Sequence, residues 1–97
     1  MSEAQDRDAL VSLEERVKRM IVRELRLKQA PESIDSEAPL FEDGLGLDSI
    51  DALQLIVALE KEFQIKIETQ ADGMRILRSV RTIAQHILDE QKGKAST

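Results

Sequence analysis

The side chain best placed for group-transfer chemistry is Ser49, in the run Phe41-Glu42-Asp43-Gly44-Leu45-Gly46-Leu47-Asp48-Ser49-Ile50. A glycine-containing turn leads into it and an amphipathic stretch leads away, so the serine stands at a helix N-terminus. Such a hydroxyl is exposed, and a phosphate esterified to it would lie near the free amides and the positive end of the helix dipole. A plain N-cap explains the same spacing, with Asp48 or Ser49 doing no more than satisfying those amides. Spacing alone does not decide between the two.

No other residues pair into a catalytic set. The sequence has no cysteine, which excludes a disulfide framework, a Cys-based zinc site and a thiol nucleophile. The single histidine, His86, falls in the last helical stretch with no reason from spacing to meet Ser49, and it reads as a surface or half-buried helical residue. Without a nucleophile and base pairing, a cofactor fingerprint or a metal-ligand cluster, the sequence does not read as that of an enzyme.

The elements that must position Ser49 follow from composition and period. The 97 residues suit a single domain, 1–97, with a core of about 10–90 and a flexible polar tail over 91–97. Two Phe, no Trp or Tyr, and an excess of Leu, Ile, Val, Ala and charged residues favour packed amphipathic helices, so the expected class is all-α. Ser12 and Glu15 fit a capping box. From there Leu13, Val17, Met20, Ile21 and Leu25 recur at helical spacing and predict a first helix over 12–27. Pro31 and Pro39 then open a loop of roughly 20 residues, long enough to suggest a function, whose Ile34, Leu40, Phe41 and Leu45 are expected to tuck into the core.

The second helix is predicted from Asp48-Ser49 to Phe63, and its apolar residues divide between two faces. At about 100° per residue, Leu55, Ile56, Leu59 and Phe63 share one side, while Ile50, Leu53 and Val57 lie nearly opposite. The second set means either a helix buried all round or an exposed apolar stripe edged by Asp51, Gln54 and Glu60. In so small a domain full burial is difficult, and exposure is the favoured reading. Ile65-Lys66-Ile67 reads as an extended connection, Asp72 as the cap of a short third helix through Met74, Ile76 and Leu77, and Ser79 as the N-cap of a last helix from Val80 to about Glu90.

Charge is segregated along the chain. Residues 1–31 carry a net +1, residues 32–72 carry −9 and residues 73–97 carry +3. The acidic middle argues against nucleic acid and for a partner surface rich in Lys and Arg. No apolar run reaches the roughly 18 residues of a membrane span. Met1 to Asp8 is acidic and polar where a signal peptide would be basic and then apolar. The expectation is a cytoplasmic protein without membrane insertion.

The stretch around Ser49 resembles the acyl carrier protein family, whose hallmark is an Asp-Ser-Leu-like tripeptide after a Leu-Gly turn and before an acidic helix. The matching residues are Leu45-Gly46 and Asp48-Ser49-Ile50, then Asp51, Leu55, Ala58-Leu59-Glu60, Glu62-Phe63 and Ile67, with Phe41 eight residues before the serine. The resemblance covers about residues 10–90. It implies a four-helix bundle with a long loop between helices 1 and 2 and a short third helix. It implies that Ser49 accepts 4′-phosphopantetheine from coenzyme A through a Mg²⁺-dependent phosphopantetheinyl transferase, with Asp48 beside that reaction, and that the thiol of the arm carries acyl intermediates as thioesters. The implied partners are that transferase, a ketoacyl synthase and other acyl-processing enzymes, met by a monomer; the residues expected to dock them are Ile50, Asp51, Leu53, Val57 and Glu60, with Arg75 and Arg78.

The sequence departs from the commonest family pattern at three places. Gly44 stands where an acid usually precedes Leu-Gly, Gln54 and Lys61 soften the acidic helix, and Arg75, Arg78 and Arg81 make the third-helix region basic. These departures point to a dedicated carrier of a specialised lipid, polyketide or polyene pathway rather than to a housekeeping fatty-acid carrier. The rival readings are an aminoacyl or peptidyl carrier of a non-ribosomal assembly system and a helical interaction module that is never modified.

Overall fold

The computed structural model describes residues 3–41 and 46–95, and these form an all-α bundle. Four α-helices are present among them: α1 (Glu3–Leu25), α2 (Ser49–Phe63), α3 (Gln70–Ile76) and α4 (Val80–Ala95), with a 3-10 turn at Pro31–Ser33 inside the long α1–α2 loop. No strand occurs among the described residues, where Phe41 and Leu47 make one isolated bridge. The Ile65 to Ile67 connection is extended, as expected.

Two helices are longer than the sequence predicts. α1 begins at Glu3, so Ser12 and Glu15 lie inside it and form no capping box. Residues 3–10 contain no Gly or Pro, their acids suit a helix N-terminus, and Leu10 extends the Leu13-Val17 face by a turn. α4 likewise runs to Ala95, through part of the segment expected to be a tail. Helix ends are otherwise set by local chemistry. Arg26 adopts a left-handed φ of 53° after α1, and the Leu27 N–H returns to the Val22 carbonyl at 3.0 Å, a reversal that closes the helix. Thr69, rather than Asp72, caps α3, accepting the Asp72 amide at 3.0 Å. Ser79 is the cap of α4, where Ser79 and Thr82 each accept the other's backbone N–H. The Thr82 hydroxyl donates to the Ile76 carbonyl at 2.7 Å and so welds the end of α3 to the start of α4.

The core is a continuous layer of aliphatic side chains. α1 supplies Leu13, Val17, Met20 and Ile21, α4 supplies Val80, Ile83, Ala84, Ile87 and Leu88, and α2 closes the layer with Ala52, Leu55, Leu59 and Phe63. From the loops, Ile34, Leu40 and Ile65 are buried in the same layer, while Phe41 is half-buried at its edge. Leu45, expected to tuck in beside them, lies outside the described residues. Polar contacts align α1 with α2: the Gln54 amide donates to the Glu24 carbonyl at 2.6 Å, Arg23 bonds Glu62 at 2.7 Å, and the Arg16 guanidinium lies 4.5 Å from the centre of the Phe63 ring.

The two faces of α2 separate as expected except at Ile56, which is half-buried at the edge of the core instead of within it. Leu55 and Leu59 are fully buried, whereas Ile50, Leu53 and Val57 are 73%, 63% and 60% exposed. Leu59→Ala should therefore lower the unfolding free energy by about 2–5 kcal/mol in urea titrations, because it removes packed atoms and leaves a cavity. Val57→Ala should change it by no more than about 0.5 kcal/mol. Equal losses would show that both faces are packed.

Candidate functional site

The N-terminus of α2 is built by a reciprocal cap. Asp48 is extended, with φ −107° and ψ −177°, and its carboxylate accepts the Asp51 N–H at 2.9 Å. The Asp51 carboxylate reaches back to accept the Asp48 N–H at 3.2 Å. Asp48 thus carries out the capping that the sequence left open between it and its neighbour. Ser49 occupies the first helical position, is exposed, and its hydroxyl has no hydrogen-bond partner among the described residues. That hydroxyl is free to react, and it stands at the positive end of a helix 15 residues long.

The approach to Ser49 is fixed from the other side by Leu40. Its side chain is 1% exposed, its N–H donates to the Arg78 carbonyl at 3.0 Å, and its own carbonyl accepts the Leu47 N–H at 3.1 Å. Between Leu47 and the loop, Gly46 takes a φ of 70°, a left-handed conformation that side chains strain. The chain therefore reaches Asp48 with a defined direction.

Beside Ser49 a groove of about 470 Å³ runs between α2 and α3, lined by Phe41, Leu47, Ala52, Leu53, Ile56 and Met74, with Asp48 and Ser49 at its polar margin. Larger hollows exist elsewhere, but they are walled mainly by charged and polar side chains and lie away from the serine. An exposed, unpartnered hydroxyl next to an apolar groove fits a phosphate-linked arm with an apolar load. Neither Met74 nor Ile56 was a site residue in the sequence reading. Met74 had a signal: it stands one residue off the Gly73, Ile76, Leu77 face of α3 and is 49% exposed.

The remaining sequence-selected residues are spread along α2, α3 and α4. Ile50, Leu53 and Val57 form one exposed line along it. Asp51 is engaged in the cap, and the Glu60 carboxylate accepts the Ile67 N–H at 3.0 Å, bracing the connection to α3. Arg75 is an exposed residue of α3, 3.6 Å from Asp72, and Arg78 is exposed in the α3–α4 corner. Arg81 turns elsewhere: its guanidinium meets the Glu14 carboxylate at 2.9 Å and lies 3.9 Å from Glu37, and its N–H donates to the Ser36 carbonyl at 2.8 Å. It is a fastener between α4, α1 and the loop. His86 is half-buried on α4, 3.5 Å from Glu90, and does not line the groove at Ser49. Among the described residues no cluster of three or more His, Cys, Asp or Glu side chains is placed to hold a metal ion, and no helix is long and apolar enough to cross a membrane.

Comparison with known families finds one described as a phosphopantetheine attachment site, matching residues 15–87. The match spans α2, α3, the loop before Ser49, about the second half of α1 and the first half of α4.

The reciprocal cap predicts how α2 responds to substitution. Asp48→Ala should cost about 1 kcal/mol of stability by urea denaturation, while Asp48→Asn, which caps as well, should cost only a few tenths. Equal losses for the two variants would show that the carboxylate charge, and not the cap, stabilises this end.

Proposed function

The chain belongs to the phosphopantetheine attachment-site family, and on that footing we propose that it is an acyl carrier protein of a specialised pathway, loaded through Ser49. Domains of this family hold 4′-phosphopantetheine covalently, and the group supplies a thiol on which an acyl chain travels as a thioester. The observation that carries the assignment to Ser49 is its free, exposed hydroxyl at the start of α2, with the capping taken over by Asp48.

In this reading the Ser49 oxygen bonds to the phosphorus nearest the pantetheine in coenzyme A. The pyrophosphate P–O bond breaks, adenosine 3′,5′-bisphosphate leaves, and the serine proton passes to the transferase or to water. The α2 dipole favours the anionic phosphodiester that results. Asp48 holds the helix start in shape while the transferase works on the adjacent residue. Carriers of this family are generally non-catalytic, and this chain's part is address and shelter: partners dock, and the apolar groove receives the chain.

Docking is assigned to the exposed line of Ile50, Leu53 and Val57, which offers apolar contact without disturbing the core. Asp48, Asp51 and Glu60 supply acidic charge that draws Lys- and Arg-rich enzymes, among them the transferase, a ketoacyl synthase and other acyl-processing enzymes. Arg75 in α3 and Arg78 in the α3–α4 corner add exposed positive charge. They disfavour housekeeping partners and favour a dedicated set, chiefly through association rate. The carrier is assigned to the cytoplasm as a monomer.

The test is intact-mass spectrometry after incubation with coenzyme A and an active phosphopantetheinyl transferase, followed by loading from acyl and from aminoacyl donors. The wild type should gain roughly 340 Da and then accept acyl groups, while Ser49→Ala stays folded and gains nothing. An unchanged mass for Ser49→Ala and wild type alike would leave only an unmodified interaction module. Retention of the gain in Ser49→Ala would move the attachment site elsewhere, and loading by aminoacyl donors alone would make the chain a peptidyl carrier.

A further inference from the structure

We infer that Ile56, seated on the bare backbone of Gly73, is the end wall of the groove beside Ser49 and sets the length of acyl chain that the protein shelters. The inference rests on the carrier reading above and goes beyond it to the class of cargo.

Along α2 the groove is lined by Ser49, Ala52, Leu53 and Ile56, so Ile56 is the last residue of the helix to reach it. Seven residues separate it from Ser49, about 10 Å along the axis. Ala52, one turn in, is small and leaves the path open. At Ile56 the path meets α3. A Cβ at Gly73 would stand 3.0 Å from Ile56 Cδ1 and 3.5 Å from Ile67 Cγ2, so the tip of Ile56 packs tightly against the side of α3 that a side chain at residue 73 would crowd.

Glycine is the residue least suited to a helix interior apart from proline, and α3 has only seven residues to lose stability from. What the glycine supplies is room: Ile56 lies back against α3 instead of projecting into the groove. The lining beyond Asp48 and Ser49 is hydrocarbon and thioether throughout. Its occupant is therefore an aliphatic chain, not a polar aminoacyl group, and its depth ends where Ile56 begins.

Two substitutions move that wall in opposite directions. Ile56→Ala removes three carbons at the closed end and opens the groove towards Gly73 and Ile67. Gly73→Ala puts a methyl 3.0 Å from Ile56 Cδ1, so the flexible tip gives way slightly towards the groove and shortens it. Ile56→Val is a milder version of the first change if Ile56→Ala folds poorly.

The experiment charges the holo-protein with straight acyl groups from butyryl to palmitoyl and follows the melting temperature against chain length. In the wild type the melting temperature should climb with each methylene that the groove buries and then level off. Ile56→Ala should move the levelling point about three methylenes longer, Ile56→Val about one, and Gly73→Ala should move it shorter. A wild-type plateau left in place by all three substitutions would overturn the assignment of Ile56 while leaving the carrier reading intact. Lengthening by Gly73→Ala would also overturn it, since α3 would then be the part that moves. A charged wild type whose melting temperature ignores chain length would remove the groove as the site of the cargo, whereas failure to take up the arm at all would be a failure of the carrier reading itself.

Discussion

Leu40 holds the part of the structure on which everything around Ser49 depends. A loop between Leu25 and Ser49 would ordinarily leave the start of α2 free to wander, because ordering so many residues costs entropy that few contacts offset. Leu40 offsets it in the middle of the loop with a fully buried side chain and two backbone bonds. One runs to Arg78 at the α3–α4 corner and the other to Leu47, just ahead of the cap. Ser36 and Glu37, joined to Arg81, hold the earlier half of the same loop against α4, and Glu14 anchors Arg81 to α1 in turn. The serine is displayed by a chain of contacts that begins in the core.

α2 turns that display into a usable surface because its two apolar faces have different partners. The face with Leu55, Leu59 and Phe63 is committed to the core beside α1, and the face with Ile50, Leu53 and Val57 is exposed. The helix is therefore held rigidly by one side while the other remains available. The groove towards α3 is a third direction from the same helix, and the short α3, with Gly73 and the off-face Met74, shapes it. The proposed attachment point, docking line and shelter are arranged around a single helix whose orientation the bundle fixes.

Much of this was legible in the sequence because it is local. The start and end of α2, the split of its faces and the Ser79 cap follow from period and from cap residues within a turn of one another. The same locality misled at Ser12 and Glu15: a capping-box pattern occurs there by chance, and continued helix with a further core turn at Leu10 outweighs it. Thr69 displaced Asp72 as the cap of α3 for a related reason, since both residue types suit the role and only backbone direction chooses. What the sequence did not disclose depends on distant pairs. Arg81 reads as one of three surface arginines until Glu14, 67 positions away, is seen beside it. Glu60 reads as a rim charge until the extended connection returns Ile67 to it. The groove has no signature in any one segment, because it exists only where α2, α3 and Phe41 meet.

Ser49 follows a loop whose ties at Leu40 and Leu47 are in place before any partner arrives. The direct measurement is residue-resolved amide hydrogen exchange on the unmodified protein, read at Leu40 and Leu47. Both amides should exchange slowly, near the rates of core helical amides such as those of Leu55 and Ile83, because each is bonded within a buried or braced segment. Exchange at the rate of an unstructured peptide at Leu40 and Leu47, with the helices still protected, would contradict the account: the serine would then be carried by a loose loop, and its presentation would have to be made by the partner.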